Sequence, residues 1–190
     1  MITTENKFML PFGVYIDPDT GVMKDPKRVL KRKASDMLGY YADADALQRL
    51  IDEHNNPLHY EVFEVPVPEE YGQLMYCISK LQPGLVGDEF FMTKGHYHTV
   101  PQTAEIYYCL GGEGYMMMKT PDGQCRTEKM ERGRMVYVPP YWAHRSVNTG
   151  NDPLLSFCVY PGDAGHNYGD IETEGFPKRI YSRANEVVIG

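Results

Sequence analysis

The stretch TKGHYHTVPQTAEIYYCLG, residues 93–111, places two imidazoles and one carboxylate in a β-strand pattern. His96 and His98 lie two positions apart, and alternate residues of a strand point to the same face. Glu105 stands in a run of apolar and aromatic residues and shares a face with Tyr107 and Cys109. A carboxylate on an inward face needs a cation or hydrogen-bond donors to satisfy it. The stretch therefore favours a metal site carried by strands.

A third imidazole, His144, opens a later strand directly after the turn PPYW at residues 139–142. Three neutral nitrogens and one carboxylate oxygen suit Fe, Mn, Ni, Co or Zn. No thiolate lies near these residues, which argues against a structural zinc site of the cysteine type. Four protein ligands on an octahedral ion leave two positions for water or for neighbouring sugar oxygens. The alternative interpretation is a set of separate core or surface histidines, because His-x-His alone is a common pattern.

The rest of the chain has a mainly β pattern. Residues 1–40 have an extended pattern with a turn at 17–21, and the segment 43–54 is a helix that Asp43 or Asp45 can cap. Short strands at spacings of roughly 8–12 residues are typical of a sandwich or barrel. We predict strands at 60–66, 73–82, 89–98, 104–110, 114–120, 125–129, 134–138, 143–149 and 154–160.

The charge and the cysteine pattern exclude several classes of protein. A net charge of -7 argues against a nucleic-acid-binding protein, and no apolar run is long enough to cross a bilayer. No signal peptide is recognisable, and four widely spaced cysteines without a CxxC pair indicate reduced, buried thiols. The basic run 27–33 is interpreted as a solvated strand or loop face rather than an anion site. Local donors must therefore hold any anionic substrate.

The metal-site residues resemble the two motifs of the cupin superfamily. The first motif is represented by GHYH at 95–98, Glu105 and the glycines at 111–112, with a longer gap before the glutamate than is usual. In the second motif, Tyr141 stands where the motif has its middle glycine. The other residues of the second motif are Gly133, Pro139, His144 and Asn148.

Longer strings resemble one branch of that superfamily, the archaeal cupin-type glucose-6-phosphate isomerases. They are FFMTKGHYH at 90–98, YVPPYWAHR at 137–145 and YPGDAGH at 160–166, and PFGV at 11–14 and YEV at 60–62 fit as well. The resemblance implies an all-β cupin fold, a double-stranded β-helix or jelly-roll barrel. It also implies a cytoplasmic homodimer that interconverts glucose 6-phosphate and fructose 6-phosphate in glycolysis and gluconeogenesis.

We accordingly predict one domain, with an N-terminal extension at 1–55 that carries the short helix 43–54 and packs on a barrel at 56–190. The partner is a phosphorylated hexose, with no nucleic acid and no membrane. The cofactor is one divalent transition metal per chain, iron ahead of Ni, Mn, Co and Zn. The metal ligands are His96, His98, Glu105 and His144.

Catalysis is assigned to Glu105, as ligand and base, and to His166, which follows a GDAG loop and can move a proton. Thr93 and Gly95 offer phosphate a hydroxyl and a backbone N–H. Tyr60, Ser79 and Tyr160 match phosphate contacts in the resembled family, and Tyr107, Tyr141, His166 and Tyr168 would contact the sugar.

Three questions stay open on the sequence alone. Isomerisation can run through a cis-enediol, which we favour, or through a direct hydride shift. Another metal-dependent cupin enzyme, such as a mannose-phosphate isomerase or an Fe(II) dioxygenase, is an alternative activity. A non-enzymatic sugar-binding cupin is the alternative outside enzymology.

Overall fold

A computed structural model describes residues 9–65 and 67–190. The predicted extended chain at residues 1–8 and the predicted strand end at Pro66 lie outside these ranges. Two α-helices are α1 (Ala44–Glu53) and α2 (Gly169–Glu174), and a 3-10 turn spans Ala34–Met37. The strands are β1 (Arg28–Lys33), β2 (Leu58–Glu64), β3 (Leu74–Leu81), β4 (Leu85–Val86), β5 (Glu89–Phe90), β6 (Glu105–Gly111), β7 (Glu113–Lys119), β8 (Cys125–Glu131), β9 (Met135–Val138), β10 (Ala143–Asn148), β11 (Leu154–Pro161), β12 (Ile180–Arg183) and β13 (Glu186–Ile189).

The strands form sheets in which all neighbours run antiparallel. The large sheet has the order β1-β2-β3-β11-β6-β9, and a second sheet has the order β10-β7-β8. Crossovers between non-consecutive strands, such as β3 beside β11, are typical of a jelly roll. The predicted all-β barrel is confirmed. No helix in the described ranges is long and apolar enough to cross a membrane.

The inner face of the large sheet carries rows of side chains set by the strand register. One row runs from Glu64 through Cys77 and Cys158 to Tyr107, each opposite the next. The second sheet covers this face with strand β10, all six residues of which are buried, and with the methionines of β7. The hydrophobic core therefore lies between the two sheets. Inward-facing residues of the large sheet that the methionines do not cover line a cavity.

The N-terminal region carries the predicted helix. Asp43 accepts a hydrogen bond from the backbone N–H of Ala46 at 2.8 Å, which satisfies a free donor of the first turn of α1. Leu47 is buried on the inner face of the helix. Strand β1 joins the edge of the large sheet through its pairing with β2. The division into an extension at 1–55 and a barrel at 56–190 stays a prediction.

The predicted strand at 89–98 is wrong beyond Phe90. The segment that follows runs beside β10 through single bridges, from Met92 to Val147 and from His96 to His144. Gly95, later in the same segment, has a φ of 81°, a conformation that favours glycine and is absent from a regular strand. A Cβ there would lie 3.1 Å from the carbonyl oxygen of His144, so the glycine also permits this close approach.

His59 is a fully buried histidine that packs away from the metal-site residues. Its ring stacks on Phe91 at 3.7 Å, and its Nε2 shares a 2.9 Å hydrogen bond with the hydroxyl group of Tyr41, which also accepts from the Met92 N–H. The remaining nitrogen, Nδ1, has no hydrogen-bond partner among the described residues. Burial lowers the pKa of His59 to about 4. The folded protein therefore holds this ring neutral.

We expect His59 to make stability depend on acidity. An unfolded histidine has a pKa of about 6.5, so between pH 6.5 and 4 the unfolded chain binds the proton that the folded chain refuses. Stability is complete above pH 6.5 and is lost as the pH falls towards 4. From pH 7 to 5 the loss from this one group is about 2 kcal/mol. Urea unfolding of wild type and His59→Gln at both pH values measures it.

In that comparison His59→Gln should lose about 2 kcal/mol less than wild type on acidification. His54→Gln is the matched control, because His54 is exposed at the end of α1. Equal pH dependence in wild type and His59→Gln would contradict the assignment.

Candidate metal centre and substrate cavity

The four predicted metal ligands meet at the seam between the two sheets. Glu105 is the first residue of β6 in the large sheet, and His144 is the second residue of β10 in the facing sheet. His96 pairs with His144 through backbone hydrogen bonds of 3.2 and 3.1 Å, and His98 follows it. The ligating atoms of all four lie within 4.8 Å of one another. The structure thus brings together side chains that are up to 48 positions apart in the sequence.

Donor atoms crowd around one carboxylate oxygen. Oε2 of Glu105 lies 3.1 Å from Nε2 of His98 and 3.0 Å from Nε2 of His144. The contact to His144 lacks hydrogen-bond alignment, and the Nε2 atoms of His144 and His96 are buried without a partner among the described residues. Buried nitrogens of this kind are rarely left unsatisfied. They lie where a cation would satisfy them.

Thr103 fixes the tautomer of His98. The threonine hydroxyl donates to the carbonyl of Val100 at 2.6 Å, so its oxygen is the acceptor in the 2.8 Å contact with Nδ1 of His98. Nδ1 must then carry a hydrogen, and in the neutral ring this leaves a lone pair on Nε2. That lone pair points at the Glu105 carboxylate, and two acceptors at this distance need a positive charge between them.

The protonation states suit the same interpretation. Burial would raise the pKa of Glu105, but hydrogen-bond donation and charge from the rings of His144 and His98 lower it to about 2, and a metal ion at those nitrogens would favour the ionised carboxylate in the same way. The pKa of His96 lies well below its usual range because of burial and of the neighbouring imidazoles of His144 and His166. Near neutral pH the cluster therefore offers an ionised carboxylate and a neutral His96 ring.

The spacing of the donors fits a transition metal. With metal–ligand bonds of about 2.1 Å, ligands at right angles lie about 3 Å apart, and opposite ligands about 4.2 Å apart. The distances of 3.1 and 3.0 Å from Oε2 of Glu105 to the two imidazole nitrogens agree with ligands at right angles. All four ligating atoms lie within 4.8 Å of one another, which leaves room for an opposite pair. Three imidazoles and one carboxylate also match Fe, Mn, Ni, Co or Zn in donor type. The cluster can therefore bind a divalent metal ion, whose identity the donor set does not fix.

A cavity of about 250 Å³ opens beside this cluster. Glu105 and His96 reach its wall, while His98 and His144 do not line it. Its size is near the lower end of small-molecule sites, which typically measure about 300–1,000 Å³. Nearly all of the predicted substrate contacts line it, namely Tyr60, Ser79, Thr93, Gly95, Tyr107, Tyr160, His166 and Tyr168.

Tyr141 does not line this cavity. It is 52% exposed and borders a separate surface depression with Tyr97 and His98. Its φ of 71° explains its place in the motif, because the left-handed conformation is retained where the motif has a glycine. Its role as a sugar contact stays a prediction.

His166 and Tyr168 lie across the cavity from the sheet. The His166 ring is 4.4 Å from the His96 ring and stacks on Tyr168 at 6.1 Å, and Tyr168 is itself 5.6 Å from His96. Partial burial and the neighbouring imidazole of His98 lower the pKa of His166, although the charge of Glu105 opposes this effect. A neutral imidazole beside the metal cluster can accept or pass on a proton.

Sequence reasoning missed two arginines in the cavity wall. Arg28 and Arg32 belong to the basic run at 27–33 that was interpreted as solvated. Both lie on the inner face of β1, two strand steps on either side of Leu30, which also lines the cavity. Only the two-residue spacing could have indicated this, and it could not tell which face of the strand is the inner one.

The chain is similar in sequence to several proteins that are named as enzymes. The sequence model of the family described as "Glucose-6-phosphate isomerase (GPI)" matches residues 31–189. Glucose-6-phosphate isomerases of Thermococcus gammatolerans and Pyrococcus abyssi are 48% and 45% identical, over 96% and 94% of this chain and 95% and 94% of theirs. A putative glucose-6-phosphate isomerase 1 of Rhizobium meliloti is 37% identical over 89% of this chain and 79% of its own. Among solved structures, Bacillus subtilis oxalate decarboxylase aligns with a TM-score of 0.45 and 24% identity, over 55% of this chain and 26% of that chain.

We expect Thr103→Val to weaken metal binding without unfolding the barrel. The valine fills the same space but removes the hydroxyl acceptor that lies 2.8 Å from Nδ1 of His98, so only the backbone carbonyl of residue 103, at 3.3 Å, still favours this tautomer. Loss of such an outer hydrogen bond weakens metal affinity about 10–100-fold. Competition with a fluorescent chelator measures the dissociation constant for Mn or Ni.

The control is Thr127→Val, because Thr127 lies on β8 in the sheet opposite the carboxylate and makes no side-chain hydrogen bond among those described. An unchanged affinity in Thr103→Val would refute the tautomer argument.

Proposed function

The chain belongs to the glucose-6-phosphate isomerase family, and from this membership we propose that it interconverts D-glucose 6-phosphate and D-fructose 6-phosphate. The observation that carries the proposal is the position of Glu105. This carboxylate belongs to the four-donor cluster and also lines a cavity of monosaccharide scale. A reacting sugar in that cavity would meet a base and a metal at the same point.

His96, His98, Glu105 and His144 would hold a divalent transition metal, and we propose iron, ahead of Ni, Mn, Co and Zn. When bound, the metal supplies Lewis acidity to the oxygens on C1 and C2. The reducing setting that ferrous iron needs is supported by four free cysteines, none of which forms a disulfide. The same observation supports a cytoplasmic location, where the reaction would serve glycolysis and gluconeogenesis.

Glu105 can serve as ligand and base because its two oxygens have different surroundings. Oε2 faces the imidazoles of His98 and His144, which leaves Oε1 for the substrate. In the open-chain aldose, Oε1 would take the C2 proton, the C2–H electron pair would form the C1=C2 bond, and the C1=O π pair would move onto the C1 oxygen. The same carboxyl group then returns the proton to C1 as C2 becomes the carbonyl carbon. His166 is placed to carry the proton from the C2 oxygen to the C1 oxygen.

The uncharged polar side chains of the cavity wall would position the substrate. Burial raises the pKa of Tyr60 to about 12 and also raises those of Tyr107 and Tyr160, so these phenols remain hydrogen-bond donors near neutral pH. Ser79 and Thr93 add hydroxyl groups on the same wall. Several such donors can orient both the phosphate group and the hydroxyl groups of a sugar phosphate.

A coupled assay with fructose 6-phosphate tests the proposed activity. We expect glucose 6-phosphate to form, EDTA to abolish its formation, and iron to restore the highest rate among Fe, Ni, Mn, Co and Zn added separately. Reaction in D₂O should place deuterium at C2 of the glucose 6-phosphate that forms, as the enediol route predicts and a direct hydride shift does not. Undiminished turnover after chelation would refute the metal-dependent scheme.

In the same assay Glu105→Gln should lower kcat at least ~10³-fold, because the amide cannot take the C2 proton. Metal content measured on the variant separates loss of the base from loss of the ligand. Glu186→Gln, on the exposed strand β13, is the matched control. A Glu105→Gln protein that holds metal and turns over normally would contradict the assigned role.

We also propose that the protein is a homodimer, and an apolar patch on the outer face of the large sheet supports this. The patch consists of Tyr108 on β6 and of Met135 and Tyr137 on β9, which are 37%, 60% and 58% exposed. Tyr108 and Met135 are direct cross-strand partners, and Phe157 of β11 continues the row beside Tyr108. Contiguous exposed apolar residues are typical of interaction surfaces.

Sedimentation equilibrium should accordingly give twice the chain mass of 21.7 kDa for the wild type. Met135→Glu should shift the mass towards one chain, because a carboxylate would be buried in an apolar interface. Val187→Glu on β13 places the same charge at another exposed apolar position and should leave the mass unchanged. A wild-type protein of single-chain mass would refute the dimer.

A further inference from the structure

Strand β1 supplies two cations to the cavity wall, and their partners differ. Nε of Arg28 lies 2.6 Å from Oε2 of Glu64, so its charge is largely compensated. Arg32 makes no ion pair with any carboxylate in the described ranges, and its Nε is buried without a hydrogen-bond partner. A guanidinium donor in this state is unfavourable in the absence of a bound acceptor. The cavity therefore holds a cation that lacks an anion.

The surroundings of Arg32 are phenols rather than carboxylates. Tyr60 lies directly opposite Arg32 in the register of β1 and β2. Burial raises the pKa of Tyr168, whereas the charge of Arg32 lowers it, which places the guanidinium near that phenol as well. The ring of Tyr168 is in turn 5.6 Å from the ring of His96 in the metal cluster. Arg32 and the metal cluster thus approach the same cavity, with Tyr168 lying between them.

The acidic groups of the cavity do not neutralise Arg32. Glu64 is paired with Arg28, and the Oε2 atom of Glu105 faces the imidazoles of His98 and His144. One end of the cavity is consequently positive in a protein whose net charge is -7. Because the overall field repels anions, this local charge decides whether an anion can enter.

We propose that Arg32 is a specificity-determining residue that binds the phosphate group of the hexose phosphate, so that the cavity selects phosphorylated over free sugars. The planar guanidinium can donate two parallel N–H bonds to phosphate oxygens, which a hydroxyl or backbone donor cannot do alone. The hydroxyl groups of Tyr60, Ser79 and Thr93 line the same cavity and can complete the phosphate shell. This inference rests on the proposed isomerase function and adds a charged group to its substrate site.

Arg32→Met is the decisive variant, and Lys31→Met is its matched control. Lys31 is the next residue of β1, is paired with Glu61 at 2.9 Å on the other face of the strand, and is 62% exposed. For Arg32→Met we expect the KM for fructose 6-phosphate to rise at least ~30-fold, with kcat changed less than about fivefold. Lys31→Met should keep both constants near the wild-type values.

A second readout needs neither metal nor turnover. Inorganic phosphate at constant ionic strength should raise the unfolding temperature of the metal-free wild type and of Lys31→Met, but not that of Arg32→Met. If Arg32→Met fails to fold, Arg32→Lys takes its place, because it keeps the charge and loses the planar fork. It should show weaker protection by phosphate and a KM raised about tenfold.

The outcomes separate this inference from the proposed function. Wild-type isomerase activity with an unchanged KM and undiminished phosphate protection in the Arg32 variants would overturn the role of Arg32 alone. Phosphate protection that depends on Arg32 in a protein that does not isomerise fructose 6-phosphate would retain the anion site and refute the isomerase.

Discussion

The structure depends on the contact between lone pairs at Glu105. Its carboxylate and, in the neutral ring, the Nε2 lone pair of His98 face each other at 3.1 Å, and the unpartnered Nε2 of His144 lies 3.0 Å away. All of these atoms are buried, so water cannot relieve their repulsion. A cation at their centre converts this repulsion into attraction. The barrel must hold the four side chains together against that repulsion, and a bound metal would in return stabilise the barrel.

The position of this contact between two sheets explains how the barrel holds the four donors close together. Glu105 lies on the large sheet and His144 on the facing sheet, while the bridge from His96 to His144 ties in the intervening segment. Glu105 and His144 therefore project from two sheets, and His96 and His98 lie on a connecting segment that the bridge to His144 holds in place, which limits how far the four donors can move apart. Gly95 permits the segment of His96 to approach β10 closely, because any side chain there would meet the His144 carbonyl and Phe176. The donors are therefore preorganised, since they keep their binding geometry before a metal ion binds.

The sequence predicts the metal cluster better than the cavity wall, and the reason is physical. His96, His98 and Glu105 are titratable groups in an apolar β pattern, so their burial must be compensated, and motif spacing adds His144. The strand predicted at 89–98 ends at Phe90, and periodicity reveals neither this early end nor the positive φ of Gly95. Arg32 was missed because a basic run on an edge strand has the same pattern whether its alternate residues face solvent or a cavity. Only the pairing of β1 with β2 decides which face is inside.

The cavity is lined by segments from the N-terminal and the C-terminal parts of the chain, which bears on how the protein is divided. Tyr168 and His166 come from the segment before α2, which backbone bonds between Tyr97 and Asn167 at 3.0 and 2.8 Å hold in place. Ion pairing of Lys119 with Glu174 at 3.0 Å fixes the far end of that segment. Arg28 and Arg32 come from β1, which precedes the strands of the predicted barrel. A barrel without β1 would keep all four metal donors and lose the positive end of its cavity. The N-terminal strand therefore belongs to the recognition of the substrate as much as to the fold.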